Sequence, residues 1–142
     1  MDAIARTLAA NPRLRRLAGE FSRFLAVGLA ATCVHYSVLI GLKELAHAAL
    51  VPATSAGFVC GAVTSYTLNR RITFAHQPHF AKGLVKFVAV GLVGLSLNAL
   101  IVGGLAHAGL PYLIAQMIAT GTVLFWNFTV ARLVVFRAPK AA

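Results

Sequence analysis

Four long apolar runs divide this chain, and its polar positions gather between them. Phe24–Leu42, Leu50–Leu68, Phe87–Ala106 and Leu110–Ala131 contain no Asp, Glu, Lys or Arg. A helix rising about 1.5 Å per residue needs about 20 apolar residues to cross a hydrocarbon core of ~30 Å. Each run has roughly that length, and all 13 Lys and Arg residues fall outside the four. The pattern predicts an all-α integral membrane protein with transmembrane helices at about 24–42, 50–68, 87–106 and 110–131. The connections after the first and third runs are short, so the helices pair as two hairpins.

Charge then orients the hairpins. Arg6, Arg13, Arg15, Arg16 and Arg23 precede the first run. Arg70, Arg71, Lys82 and Lys86 lie between the second and third, and Arg132, Arg137 and Lys140 follow the fourth. The other two connections hold only Lys43, beside Glu44. By the positive-inside rule, the N-terminus, the C-terminus and the middle connection are expected in the cytoplasm. The net charge of +10 therefore reads as topology and contact with membrane lipids, and nucleic acid is not an expected partner.

Residues 1–21 place Ile4, Leu8, Leu14, Leu17 and Phe21 among arginines, with a break at Asn11–Pro12. They are expected to form a basic arm, either amphipathic on the cytoplasmic leaflet or disordered. The arm does not resemble a cleaved signal, because the apolar run starts late and is too long. A single membrane domain is expected over 22–137, with a tail at 138–142.

The chain repeats itself. Residues 23–29 read Arg-Phe-Leu-Ala-Val-Gly-Leu and residues 86–92 read Lys-Phe-Val-Ala-Val-Gly-Leu. The same offset pairs His35 with Asn98. A second match lays the segment from Ser65 to Phe74 over that from Asn127 to Phe136, aligning Thr67 with Thr129 and Arg70 with Arg132. Each half is a hairpin with both ends on one side, so the halves are parallel repeats. Gly57-x-x-x-Gly61, Gly28, Gly91 and Gly94 are candidate sites of close helix approach.

The repeat marks the candidate chemistry. Arg23 and Lys86 open the first helix of each half, and Arg70 and Arg132 close the second. If the hairpins pack side by side, the four cations form a ring at the cytoplasmic mouth. Arginine offers a planar fork to phosphate oxygens, so the ring suits a phosphate at the lipid–water boundary; the alternative is a set of snorkelling anchors. His35 and Asn98 lie about 16 Å further along their helices, near the midplane. A polar residue at that depth is either a stepping point for a head group or proton, or interhelical hydrogen-bond glue. Tyr66 and Phe128 precede Arg70 and Arg132 by about one turn and Trp126 lies six residues before Arg132; all three read as interfacial anchors or stacking surfaces for a head group.

Asp2, Glu20 and Glu44 are the only acidic residues and are expected near the surface. With no carboxylate pair, no metal-ligand spacing and no phosphate-cradling glycine loop, no catalytic residue, cofactor or metal is expected. Cys33 and Cys60 sit inside apolar runs and are expected to be small packing residues.

The Phe-x-x-Val-Gly openings, the Asn-Arg-Arg-x-x-Phe close at Asn69–Phe74, the run Leu110–Gly121 and the segment Trp126–Phe136 together resemble the GtrA-like family. The resemblance covers roughly residues 22–137. It implies a small four-helix protein of the bacterial inner membrane, linked to cell-surface polysaccharide synthesis. It further implies a polyprenyl-phosphate-linked sugar as the translocated partner or, alternatively, a membrane anchor for a polyprenyl-phosphate glycosyltransferase. Asn69, Arg70, Asn127 and Arg132 match the family's polar motif positions and, together with Arg71, are implied to bind the lipid phosphate. Where the second half often repeats Asn-Arg, this chain has Ala131 before Arg132, and Leu133 stands opposite Arg71. That departure implies a weaker second site. A bundle this narrow is expected to work as a homo-oligomer.

Overall fold

The computed structural model describes residues 11–138. Arg6, Lys140 and the remainder of residues 1–10 and 139–142 lie outside the described residues. The described chain is helical and contains no strand. Helix α1 spans Pro12–Ile40 and runs on through a π-helical turn, Gly41–Leu45. Helix α2 spans Leu50–Leu68 and ends in a π turn at Asn69–Thr73. Helix α3 spans Phe80–His107. Helix α4 spans Tyr112–Val130, with a π turn at Ala131–Val135.

Two helices begin well before the apolar runs that predict them. Asn11 caps α1, its side chain accepting from the amides of Arg13 at 3.0 Å and Leu14 at 3.4 Å, and Pro12 occupies the first helical position. Both are strong start signals. The Asn11–Pro12 break is thus the start of the helix, and residues 12–21 continue into the first span without interruption. Pro12–Leu45 is 34 residues long, about 50 Å of helix and more than a bilayer core requires. Helix α3 likewise carries Lys82 and Lys86 on its first turns.

Among the described residues, three helical segments are long and apolar enough to cross a membrane: Pro12–Leu45, Phe80–His107 and Met117–Val135. Helix α2 is not among them. It holds Pro52, Ser55, Gly57, Gly61, Thr64, Ser65, Tyr66 and Thr67, which lower its hydropathy at nearly unchanged length. The chain's outer surface is apolar: Leu29, Leu95, Leu100, Met117 and Phe125 are all more exposed than buried. Such a surface suits lipid rather than water.

The chain forms two compact units, Met1–Ala75 and His76–Ala142. In the first, α1 packs along α2; in the second, α3 packs along α4. The inward stripe of α1 is Glu20, Phe24, Val27 and Ala31, followed by half-buried His35. The corresponding positions of α3 are Gly83, Phe87, Val90, Gly94 and Asn98, each buried or half-buried. Ala53, Gly57, Gly61, Tyr66, Asn69 and Thr73 line the facing helix of the first unit. Ala115, Ala119, Val123, Phe128, Ala131 and Val135 do so in the second. The internal repeat is therefore a repeat of packing register.

Small residues set how closely the helices approach. A Cβ on Gly61 would stand 3.0 Å from the Ala31 carbonyl oxygen, and one on Gly57 would stand 2.7 Å from that of His35. In the second unit the small residue sits on the other helix, where a Cβ on Gly94 would meet Val123 Cγ1 at 3.1 Å. Gly28 and Gly91 face no such neighbour.

Cys33 and Cys60 depart from expectation. Both are exposed on the outer surface rather than packed between helices, because the inward stripes run through Ala31 and His35 and through Gly57 and Gly61. A charged maleimide is expected to label neither in membranes and both after denaturation, because the thiolate that reacts does not form in hydrocarbon. Equal labelling in membranes would show that these surfaces face water.

Candidate functional site

The ends of each unit are pinned by an aromatic pair. In the first unit the Phe24 and Phe74 ring centroids lie 6.3 Å apart at 60°. In the second, Phe87 and Phe136 lie 6.3 Å apart at 69°. These spacings fall in the favourable tilted range for aromatic pairs. All four rings are repeat partners, so the same device closes both hairpins.

Cations flank each pair in sequence. Arg23 adjoins Phe24 and is exposed, while Arg70 lies four residues before Phe74 and is half-buried. Lys86 adjoins Phe87 and is exposed, and Arg132 lies four residues before Phe136 and is half-buried. Each unit thus gathers one cation from its first helix and an arginine from its second at the same end. Arg71 is exposed beside Arg70.

The π turns shape these rims. The Phe74 amide donates to the Asn69 carbonyl at 3.0 Å, and the Phe136 amide to that of Ala131 at 2.9 Å. Such i to i+5 turns are uncommon and often mark functional sites. In the first unit the turn buries Asn69 completely and leaves Thr73 3% exposed. Asn69 Nδ2 donates to Ser65 Oγ at 3.4 Å, but Asn69 Oδ1 and Thr73 Oγ1 have no hydrogen-bond partner.

The other predicted residues lie deeper or further inside. His35 lies over Gly57, its Cδ2 2.8 Å from where a Cβ would be, and its ring stacks on Tyr36 at 5.5 Å. Asn98 holds the equivalent half-buried position on α3. Asn127 is wedged against Gly94, its Oδ1 2.6 Å from an added Cβ and without a hydrogen-bond partner. Tyr66 and Phe128 are buried in their units, whereas Trp126 is half-buried with its Nε1 unpaired.

Glu20 is a correction to the expected surface location of the acidic residues. Its carboxylate is buried on the inward stripe one turn before Phe24 and accepts from Arg16 Nε at 3.0 Å. The i, i+4 spacing of Arg16 and Glu20 permits the pair. The continuation of α1 toward its start carries Glu20 inside. Arg16→Ala is expected to destabilise the protein by about 1 kcal/mol, the value of a charged hydrogen bond reduced by solvent around the exposed guanidinium. Arg13→Ala is expected to leave the melting temperature unchanged. Thermal unfolding in detergent compares the two.

The rims coincide with the limits of a family match. The sequence model described as GtrA/DPMS, transmembrane domain, matches residues 23–136, from the first rim cation to the last rim aromatic. The chain belongs to the GtrA/DPMS family. It is therefore a membrane protein whose family domain includes both hairpins. It is similar to "Uncharacterized membrane protein YngA" of Bacillus subtilis (strain 168), with 27% identity over 115 residues that cover 80% of this chain and 77% of that protein. No solved structure matches.

Two buried polar residues, Thr73 within this GtrA/DPMS domain and Glu20 just before it, are not marked by the apolar runs. Glu20 lay outside the apolar run, although it continues the spacing of Phe24, Val27 and Ala31. Thr73 looked like part of a loop, although Ser65, Asn69 and Thr73 recur every fourth residue.

Proposed function

We propose that this protein moves a polyprenyl-phosphate-linked sugar across the bacterial inner membrane during synthesis or modification of cell-surface polysaccharide. The observation that carries this reading is the repeated rim: an aromatic pair flanked in sequence by a helix-opening cation and a half-buried arginine at one end of each unit. Lipid phosphate is the anion such a rim fits, because guanidinium–phosphate pairs strengthen where water is scarce. A charged phosphate does not cross bare hydrocarbon cheaply, and a polar path past His35 and Asn98 lowers that cost while the polyprenyl tail remains in lipid.

In this reading all four helices span the membrane, both termini are cytoplasmic, and the protein is a non-catalytic homo-oligomer. Helix α2 crosses despite its polar residues because Gly57 and Gly61 pack closely against α1 and Tyr66 is buried. The family description, a transmembrane domain shared with GtrA, supports a role with glycosyl lipids. Lipid mass spectrometry of the gently purified protein is expected to find a bound polyprenyl phosphate, and liposomes containing the protein are expected to translocate the head group. Co-purification with a glycosyltransferase, without head-group movement by the purified protein, would instead identify an anchor for that enzyme.

A further inference from the structure

We propose that Asn69 and Thr73 form a hydroxyl-recognition site for the sugar of the lipid head group, present in the N-terminal unit and absent from its repeat. The proposal rests on the lipid-phosphate reading above and adds what recognises the sugar.

Four exposed hydroxyl side chains in the helices are satisfied locally. Ser22, Thr32, Ser96 and Thr122 each donate to the carbonyl four residues earlier, at 2.9, 2.9, 3.1 and 2.8 Å. This is how a helix keeps a hydroxyl satisfied without water. Thr73 does not do so. It sits in the π turn whose Asn69 carbonyl is bonded by the Phe74 amide, and its buried Oγ1 has no partner. Asn69 Oδ1, one turn earlier, is also buried without a partner. Two orphaned polar atoms in one π turn are a cost that a native protein ordinarily avoids.

The repeat is an internal control. Ala131 and Val135 hold the same positions in a π turn of the same length, below the same kind of aromatic pair, and both are buried. The fold therefore closes equally well with apolar side chains. Asn69 and Thr73 are not required for packing, so their cost points to a ligand. Asn69 Oδ1 accepts a hydrogen bond, and Thr73 Oγ1 donates or accepts one. Together they complement hydroxyl groups. Arg70 lies in the same turn and is half-buried, placing a phosphate-binding cation beside the hydroxyl-binding pair. A phosphate ester of a sugar carries both chemistries.

The double variant Asn69→Ala/Thr73→Val gives the first turn the inner face of the second, which shows that both side chains fit such a turn. Binding is measured with the full chain in lipid nanodiscs, using a polyprenyl phosphate and the same lipid bearing a hexose. The double variant is expected to weaken binding of the hexose lipid about tenfold or more and to leave the bare phosphate lipid within about twofold. Arg70→Ala is expected to weaken both. If the double variant melts at the wild-type temperature and binds both lipids as wild type does, while Arg70→Ala still weakens both, the sugar assignment is overturned and the phosphate reading stands. If the wild type binds neither lipid, both are overturned. Should the double variant fail to fold, Thr73→Val alone is expected to weaken only the hexose lipid, and Thr73→Ser to retain it; equal hexose binding by the two would overturn the assignment.

Discussion

Gly57→Leu is expected to abolish the folded N-terminal hairpin. An added Cβ would stand 2.7 Å from the His35 carbonyl oxygen and 2.8 Å from its Cδ2. The nearer atom is backbone, so relief requires α1 and α2 to separate. Inserting methylenes into a packed interior typically costs about 1–3 kcal/mol, and leucine adds several beyond a Cβ that already clashes. Gly94→Leu is expected to be less damaging, because its nearest neighbour is the Asn127 side chain, which can rotate. Gly28→Ala is a control: nothing stands within 4 Å of its added Cβ, and removing a helix-interior glycine is expected to stabilise by about 0.5–1 kcal/mol. Thermal unfolding followed by circular dichroism in detergent ranks the three. A Gly57→Leu protein that melts like wild type would contradict the close crossing at His35.

The second large effect concerns Arg70. A charge-assisted hydrogen bond is worth about 1.5–3 kcal/mol, and each 1.36 kcal/mol is a factor of ten, so Arg70→Ala is expected to slow head-group translocation in liposomes roughly 10- to 100-fold. Arg132→Ala is expected to have a smaller effect. Its turn offers Leu133 where the first offers Arg71, so a phosphate held there has fewer cationic partners to lose. Arg13→Ala, on the exposed start of α1, is expected to have no effect. Equal translocation by all three variants would remove the rims from the mechanism.

Much of this arrangement is legible in the sequence because it is written twice. The matched phenylalanines at 24 and 87 and at 74 and 136 predict equivalent positions, and the structure pairs them with equal spacing. The Gly57-x-x-x-Gly61 pattern points to close approach and makes it. Other features depend on three-dimensional registration that hydropathy does not carry. Charged residues truncate the apolar windows, so the early starts of α1 and α3 are hidden even though Asn11 and Pro12 mark one of them. Cys33 and Cys60 share the apolarity of packed residues, and only helix rotation turns them outward. A π turn changes hydrogen-bond partners without altering the residue pattern. The orphaned atoms of Asn69 and Thr73 therefore emerge only from the coordinates.

Side-specific cysteine accessibility tests the central claim, that two repeated hairpins present their basic rims to the same compartment. Single cysteines at Ala75 and Ala138, in a background lacking Cys33 and Cys60, are expected to react with a charged maleimide only from the cytoplasmic side. Those at Ala46 and Ala108 are expected to react only from the opposite side. Labelling of Ala75 and Ala138 from opposite sides would contradict the account.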